Sequence, residues 1–251
     1  MRTIQHKIVA SGLSKTDFQK SLSQIRDDVG SRISGRNQEE KENWVIKRYF
    51  LLLSQAEDIL AYPIKVLKRE SPDYHVTLEN EDYGIEVTES TSEYFQALLM
   101  ESARCPELVH EPDKIRYGQT YTHQELLRML RPPDAPLTGP GWMGLQAERD
   151  AASWARDAVE KKLSKIRLWR QEQAQETRLL LYDNCPAWIH DYPAFSRMLL
   201  KNIQELLTQK QFSPDIQIDF LSSSGDSLLY DILGANRLLL TLSDVPKFGD
   251  E

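Results

Sequence analysis

The stretch from Ser71 to Ser90, S-P-D-Y-H-V-T-L-E-N-E-D-Y-G-I-E-V-T-E-S, constrains the fold more than any other part of the chain. Tyr74, Val76 and Leu78 alternate with His75, Thr77 and Glu79, the two-residue period of a half-buried strand. A polar turn ending at Gly84 follows, and then a second strand through Ile85, Glu86, Val87 and Thr88. The segment therefore predicts a β-hairpin opened by Pro72-Asp73, and a hairpin with an apolar face needs further strands or a covering helix. Glu86 sits between two apolar neighbours, where an unpaired carboxylate is costly. Strand alternation puts Glu86 and Thr88 on the face opposite Ile85, Val87 and Glu89. One carboxylate at the start of a strand and another inside its hairpin partner can converge on a single metal ion.

The rest of the chain supplies the covering layers. Residues 14 to 30 have a helical pattern, and Ser31 to Asn37 is a break rich in turn formers. A second helix is predicted from Glu39 to Ala61, with Val45, Tyr49, Leu53, Ala56 and Leu60 on one stripe and Pro63 ending it. A short strand at Ile64 to Leu67 precedes the hairpin. Residues 91 to 145 are irregular, with helical pieces at Gln96 to Ala103 and Thr122 to Leu130, and read as an insertion or mobile flap. Leu145 to Gln173 is one long helix, and Thr177 to Tyr182 (T-R-L-L-L-Y) is the continuous apolar run of a strand inside a sheet. A helix from Ala194 to Lys210, a strand from Ile216 to Leu221 and a hairpin turning at Gly234-Ala235-Asn236 complete the order. The fold class expected is α/β, a mixed central sheet flanked by helices. Residues 1–38 are expected to be an N-terminal helical extension, and residues 39–251 one α/β domain carrying the insertion at about 91–145.

Charge and cysteine content narrow the function. A net charge of -7 gives no global attraction to nucleic acid and argues against a pure DNA-binding module. It argues less against a nuclease, whose acidic metal ligands add negative charge. The two cysteines, Cys105 and Cys185, are far apart and not in metal-ligand spacing, so packing roles in a reducing cytoplasm are expected. No apolar run suits a membrane span, and the first ten residues lack the apolar core of a signal peptide. Phosphate-binding glycine loops, a nucleophile elbow and clustered histidines are all missing from the sequence.

The long helix carries the remaining chemistry. Trp154, Ala155, Ala158, Val159, Leu163, Ile166 and Trp169 form one apolar stripe at about 100° per residue. Lys162 falls near the middle of that stripe, Lys165 at its edge and Lys161 further out. An ammonium on the buried face of a helix must be paired or must snorkel to water. Reaching the Asp73–Glu86 site would pair it. Glu148 projects on the same stripe several turns earlier, and Glu57 flanks the apolar face of the second helix; for both, an exposed or capping role is the simpler reading.

The sequence P-D-(strand)-G-I-E-V-T-E, then the lysine-bearing helix, then L-L-L-Y-D resembles the core of the PD-(D/E)-x-K, or restriction-endonuclease-like, nuclease superfamily over roughly residues 39 to 183. Thr88 stands where that pattern has its lysine, and some members supply the lysine from the following helix instead. The resemblance implies a restriction-endonuclease-like core and hydrolysis of phosphodiesters with Mg²⁺ or Mn²⁺, on DNA rather than RNA. Asp73 and Glu86 would be metal ligands, Lys162 the migrated lysine, and Glu57, Glu148, Lys165 and Thr88 accessory candidates. A chain of this charge is expected to reach nucleic acid with a protein partner or as a homo-oligomer. Two rivals remain: an inactive descendant of the same fold acting as a scaffold or assembly partner, and a helical interaction protein with the hairpin as a surface ribbon.

Overall fold

The computed structural model describes residues 7–27, 37–56, 59–79, 81–136, 141–173, 176–212, 216–234 and 238–241. Its elements run β1 (Lys7–Gly12), α1 (Lys15–Ser23), α2 (Gln38–Leu53), β2 (Ile64–Lys68), β3 (Tyr74–Thr77) and β4 (Asp82–Ser90). Then come α3 (Glu93–Arg104), β5 (Val109–His110), α4 (His123–Leu127), β6 (Leu130–Arg131) and α5 (Gln146–Gln173). The chain closes with β7 (Glu176–Asp183), α6 (Tyr192–Gln209), β8 (Gln217–Leu221), β9 (Ser227–Tyr230) and β10 (Leu238–Thr241). Eight strands form one sheet in the order β1-β2-β3-β4-β7-β8-β9-β10.

The sheet is mixed, as the element order predicts. Strands β2, β3 and β4 pair antiparallel in sequence, and β4 pairs parallel with β7, which pairs parallel with β8. The parallel step requires a crossover between β4 and β7. Residues 91–145 and α5 provide it. Strand β7 is buried on both faces, and alternation sorts its side chains between two cores. Leu179 and Leu181 pack with Val159 and Ile166 of α5 and with Phe195, Leu199 and Ile203 of α6. Leu180 and Tyr182 pack with Trp44, Tyr49 and Phe50 of α2 and with Tyr74 and Ile85 of the hairpin. Helix α2 thus covers one face and α5 with α6 the other. Strands β3 and β4 are interior, which removes the surface-ribbon reading of the hairpin.

Three differences from the sequence reading have local causes. The N-terminal segment read as helical contains β1 as well as α1, and β1 is an edge strand of the sheet, paired antiparallel with β2. Its run K-I-V-A-S-G is short, and its pairing partner lies more than fifty residues away, so local pattern does not reveal it. Helix α2 stops at Leu53 rather than near Ala61. The Ser54 hydroxyl donates to the Leu51 carbonyl and accepts from Gln19 Nε2, satisfying the helix end. Helix α4 ends at Leu127, after a capping box between Thr122 and Glu125, instead of reaching Leu130, which starts β6. The break at 31–36 and the centre of the Gly234-Ala235-Asn236 turn fall outside the described residues.

Candidate active site on the β3–β4 hairpin

Asp73 immediately precedes β3. The antiparallel register sets Tyr74 opposite Ile85 and His75 opposite Gly84, so one further step brings Asp73 opposite Glu86. The turn toward β4 is fixed by a hydrogen bond: the Val87 N–H donates to Asp73 Oδ2 at 2.9 Å. Gly84 makes this approach feasible. A Cβ at Gly84 would lie 2.4 Å from the Pro72 ring. Gly84→Ala must therefore push Pro72, and with it Asp73, away from β4. We expect a loss of about 1–3 kcal/mol, the usual cost of overpacking, read by chemical denaturation.

Helix α5 lies over the Glu86 face of β4 and brings a cation pair. Lys162 Nζ donates to Glu86 Oε1 at 2.6 Å, and Lys165 Nζ lies 3.5 Å from the same oxygen. The two lysines are three residues apart and so share one side of the helix. Glu86 is 1% exposed, and its second oxygen, Oε2, is buried with no hydrogen-bond partner. A carboxylate held this deep requires nearby positive charge. Oε1 has it in two ammonium groups; Oε2 is an open acceptor.

The Asp73 carboxyl is pushed up to about 6. Burial is the main cause, and the negative charge of Glu86 adds to it. The Val87 N–H pulls the other way; Glu42 raises it further and Lys68 lowers it. Two carboxyl groups that repel each other in a half-dry setting are poised to accept a cation.

Helix α2 supplies residues that the sequence reading missed. Glu42 forms an ion pair with Lys68, and Lys41 forms one with Glu89 of β4. Glu42 lies one helical turn before Val45, so the apolar stripe of α2 projected backwards points to it. The acidic residue on this helix near the hairpin is Glu42, while Glu57 lies outside the described residues.

The other candidates have different places. Glu148 is buried but does not join the site: its Oε1 accepts from the backbone N–H groups of His190 and Asp191, tying the loop before α6 to the start of α5. Sequence spacing could not show this, because those partners arrive from forty residues downstream. Thr88 lies two residues from Glu86 on β4, half-buried, opposite Leu181 of β7. Asp183, the aspartate that closes the L-L-L-Y-D run, accepts from the Cys185 N–H and so caps its own turn. Lys161 is exposed.

No protein family, curated protein or solved structure matches the chain. Its chemistry must be read from these side chains. Among the described residues no group of three or more His, Cys, Asp or Glu is gathered for a metal. Zinc, which takes four protein ligands from Cys, His and carboxylates, or three with a water, is therefore a poor fit to these residues. Mg²⁺ asks for less: one or two carboxylates, with waters and substrate phosphates completing six oxygens. The Asp73–Glu86 pair, with its open Oε2, fits that demand. Among the described residues no helix is long and apolar enough to cross a membrane.

Proposed function

We propose that the protein is a divalent-metal-dependent nuclease with a restriction-endonuclease-like core, hydrolysing phosphodiester bonds with DNA as the preferred substrate. The observation that carries this reading is the contact of Lys162 with Glu86 across 76 residues of sequence. A helix-borne lysine takes the place that Thr88 leaves empty on the strand. The run α2-β2-β3-β4-α5-β7, with β4 and β7 parallel, supports the same core.

Asp73 and Glu86 would hold Mg²⁺ or Mn²⁺. When bound, the ion supplies a readied water and neutralises phosphate charge. Lys162 fixes Glu86 and presents an ammonium where charge develops on the phosphate in the transition state. Lys165 and the Glu42–Lys68 pair set the local potential. Because Asp73 gives up its proton only near pH 6, it presents its full charge to a cation only above that value.

An inactive scaffold is the second reading, and it draws on one observation: Lys162 and Lys165 both engage Glu86 Oε1, so the buried carboxylate has its charge compensated by side chains of the chain itself. Cleavage of single-stranded DNA, duplex DNA and RNA with Mg²⁺ or Mn²⁺ separates the two. We expect metal-dependent cleavage by the wild type, lost in Asp73→Ala and Lys162→Ala. Wild-type protein that cuts none of the three substrates would favour the scaffold.

A further inference from the structure

A cavity of about 380 Å³ opens beside the candidate site. It starts at Glu89, three residues along β4 from Glu86, and at Lys161, the neighbour of Lys162 on α5. The insertion builds its other wall with Tyr94 of α3 and with Arg116 and Tyr117 of the following loop. Trp154 of α5 lines it as well.

These aromatic rings are braced. Tyr94 packs edge-on against Tyr121 at 5.3 Å, and Tyr117 against Trp154 at 6.1 Å. The Tyr117 hydroxyl donates to Asp157 of α5 at 2.9 Å, so the loop is fastened to the helix. The Arg116 guanidinium lies over the Trp142 ring at 4.5 Å. Ser92, which lines the cavity at the N-terminus of the twelve-residue α3, is 6% exposed, yet its hydroxyl does not cap its own helix. Lys161 makes no ion pair among the described residues. The cavity therefore offers the Tyr94 and Tyr117 rings, two cationic side chains and an unspent hydroxyl at a helix N-terminus, where backbone N–H groups favour anions. Of the three carboxylates in the same lining, Glu89 is paired with Lys41 and Asp157 with Arg156 and Tyr117, while Glu93 is exposed.

That combination matches one ligand chemistry. Aromatic faces stack on bases of any sequence, while cations and a helix N-terminus take the backbone phosphates. The volume is that of a site for one small-molecule-sized unit. A base pair inside a duplex is stacked on both sides and has no ring face to give. Resting on the nuclease reading, we propose that this cleft takes an unstacked nucleotide of a single-stranded segment flanking the scissile phosphate. The substrate is thus single-stranded where it crosses the hairpin, and the insertion at 91–145 is its reader.

Binding without turnover tests the proposal. In the Asp73→Asn protein, fluorescence anisotropy would follow labelled oligothymidylate, oligouridylate and a blunt duplex of equal length. We expect the better single strand to bind at least tenfold tighter than the duplex. In the same background, Tyr117→Ala should weaken single-strand binding about tenfold, the typical loss of one stacked base, while Tyr117→Phe should not. Lys161→Ala, on the exposed helix surface and indifferent to folding, should weaken it and reduce its salt dependence. Equal affinity for single strand and duplex, or single-strand affinity untouched by Tyr117→Ala and Lys161→Ala, would overturn it. Failure of the nuclease reading is distinguishable: wild type would then cut nothing while the ring-dependent binding persists. Cleavage by wild type with ring-independent binding would sink the cleft and keep the nuclease.

Discussion

At pH 8 and without divalent cation, Asp73→Asn should melt higher than the wild type. The Asp73 carboxyl is raised from its ordinary value to about 6 in the folded protein, first by burial and then by the Glu86 charge. A carboxyl with a raised value favours the folded state only while it is protonated. Its contribution is complete below about pH 4, fades as pH climbs toward 6, and is gone above that. The ionised Asp73 thus costs the folded protein on the order of 2 to 3 kcal/mol at pH 8. Asparagine removes that charge and keeps an oxygen for the Val87 N–H. The advantage of Asp73→Asn should shrink as pH falls through 6 and be gone below about pH 4, where Asp73 of the wild type becomes protonated in the unfolded state as well. Added Mg²⁺ should close that gap at pH 8 and reverse the order at higher excess, since a ligand that binds only the folded state stabilises it by about 2.7 kcal/mol at a hundred times its dissociation constant and about 4.1 kcal/mol at a thousand times. A variant that melts lower at pH 8, or a difference independent of pH, would refute the arrangement. Melting curves at three pH values with and without Mg²⁺ decide it.

The second large effect concerns the two lysines together. Lys162→Met should lower cleavage by about 10²–10³-fold, the typical cost of one donor aimed at developing charge. Its effect on folding should be smaller, because Lys165 remains 3.5 Å from Glu86 Oε1. Lys165→Met alone removes a largely exposed group and should cost less than about 1 kcal/mol. With both replaced, Glu86 is a buried carboxylate without a cation, a situation worth roughly 3–5 kcal/mol. The double loss should therefore exceed the sum of the single losses in urea titrations at pH 8. Additive losses would mean that Glu86 draws its compensation from elsewhere.

Much of this site was legible because its signals are local. Alternation along Tyr74–Leu78 and Ile85–Thr88 put Asp73 and Glu86 on one face, and helical periodicity centred Lys162 on the buried stripe. What escaped depends on distant partners. Strand β1 has no pattern of its own and exists by pairing with β2. Glu148 has the same helical address as a site residue, yet a loop from beyond β7 claims it. Glu57 attracted notice because the apolar stripe of α2 continues past Leu53 in sequence, whereas the helix stops there and the residue facing the hairpin is Glu42 at the other end. Tyr117 and Asp157 gave no signal, because a loop and a helix face acquire meaning only when docked.

Helix α5 spans 28 residues, about 42 Å at 1.5 Å per residue. Near its start Glu148 grips the loop leading into α6, two turns on Asp157 holds the loop that walls the cleft, and one turn further Lys162 grips Glu86. These three attachments share one rod. Whatever presses on the Tyr117 loop presses on the same beam that carries Lys162, so on the proposed nuclease reading occupancy of the groove and the position of the lysine would be linked through one helix.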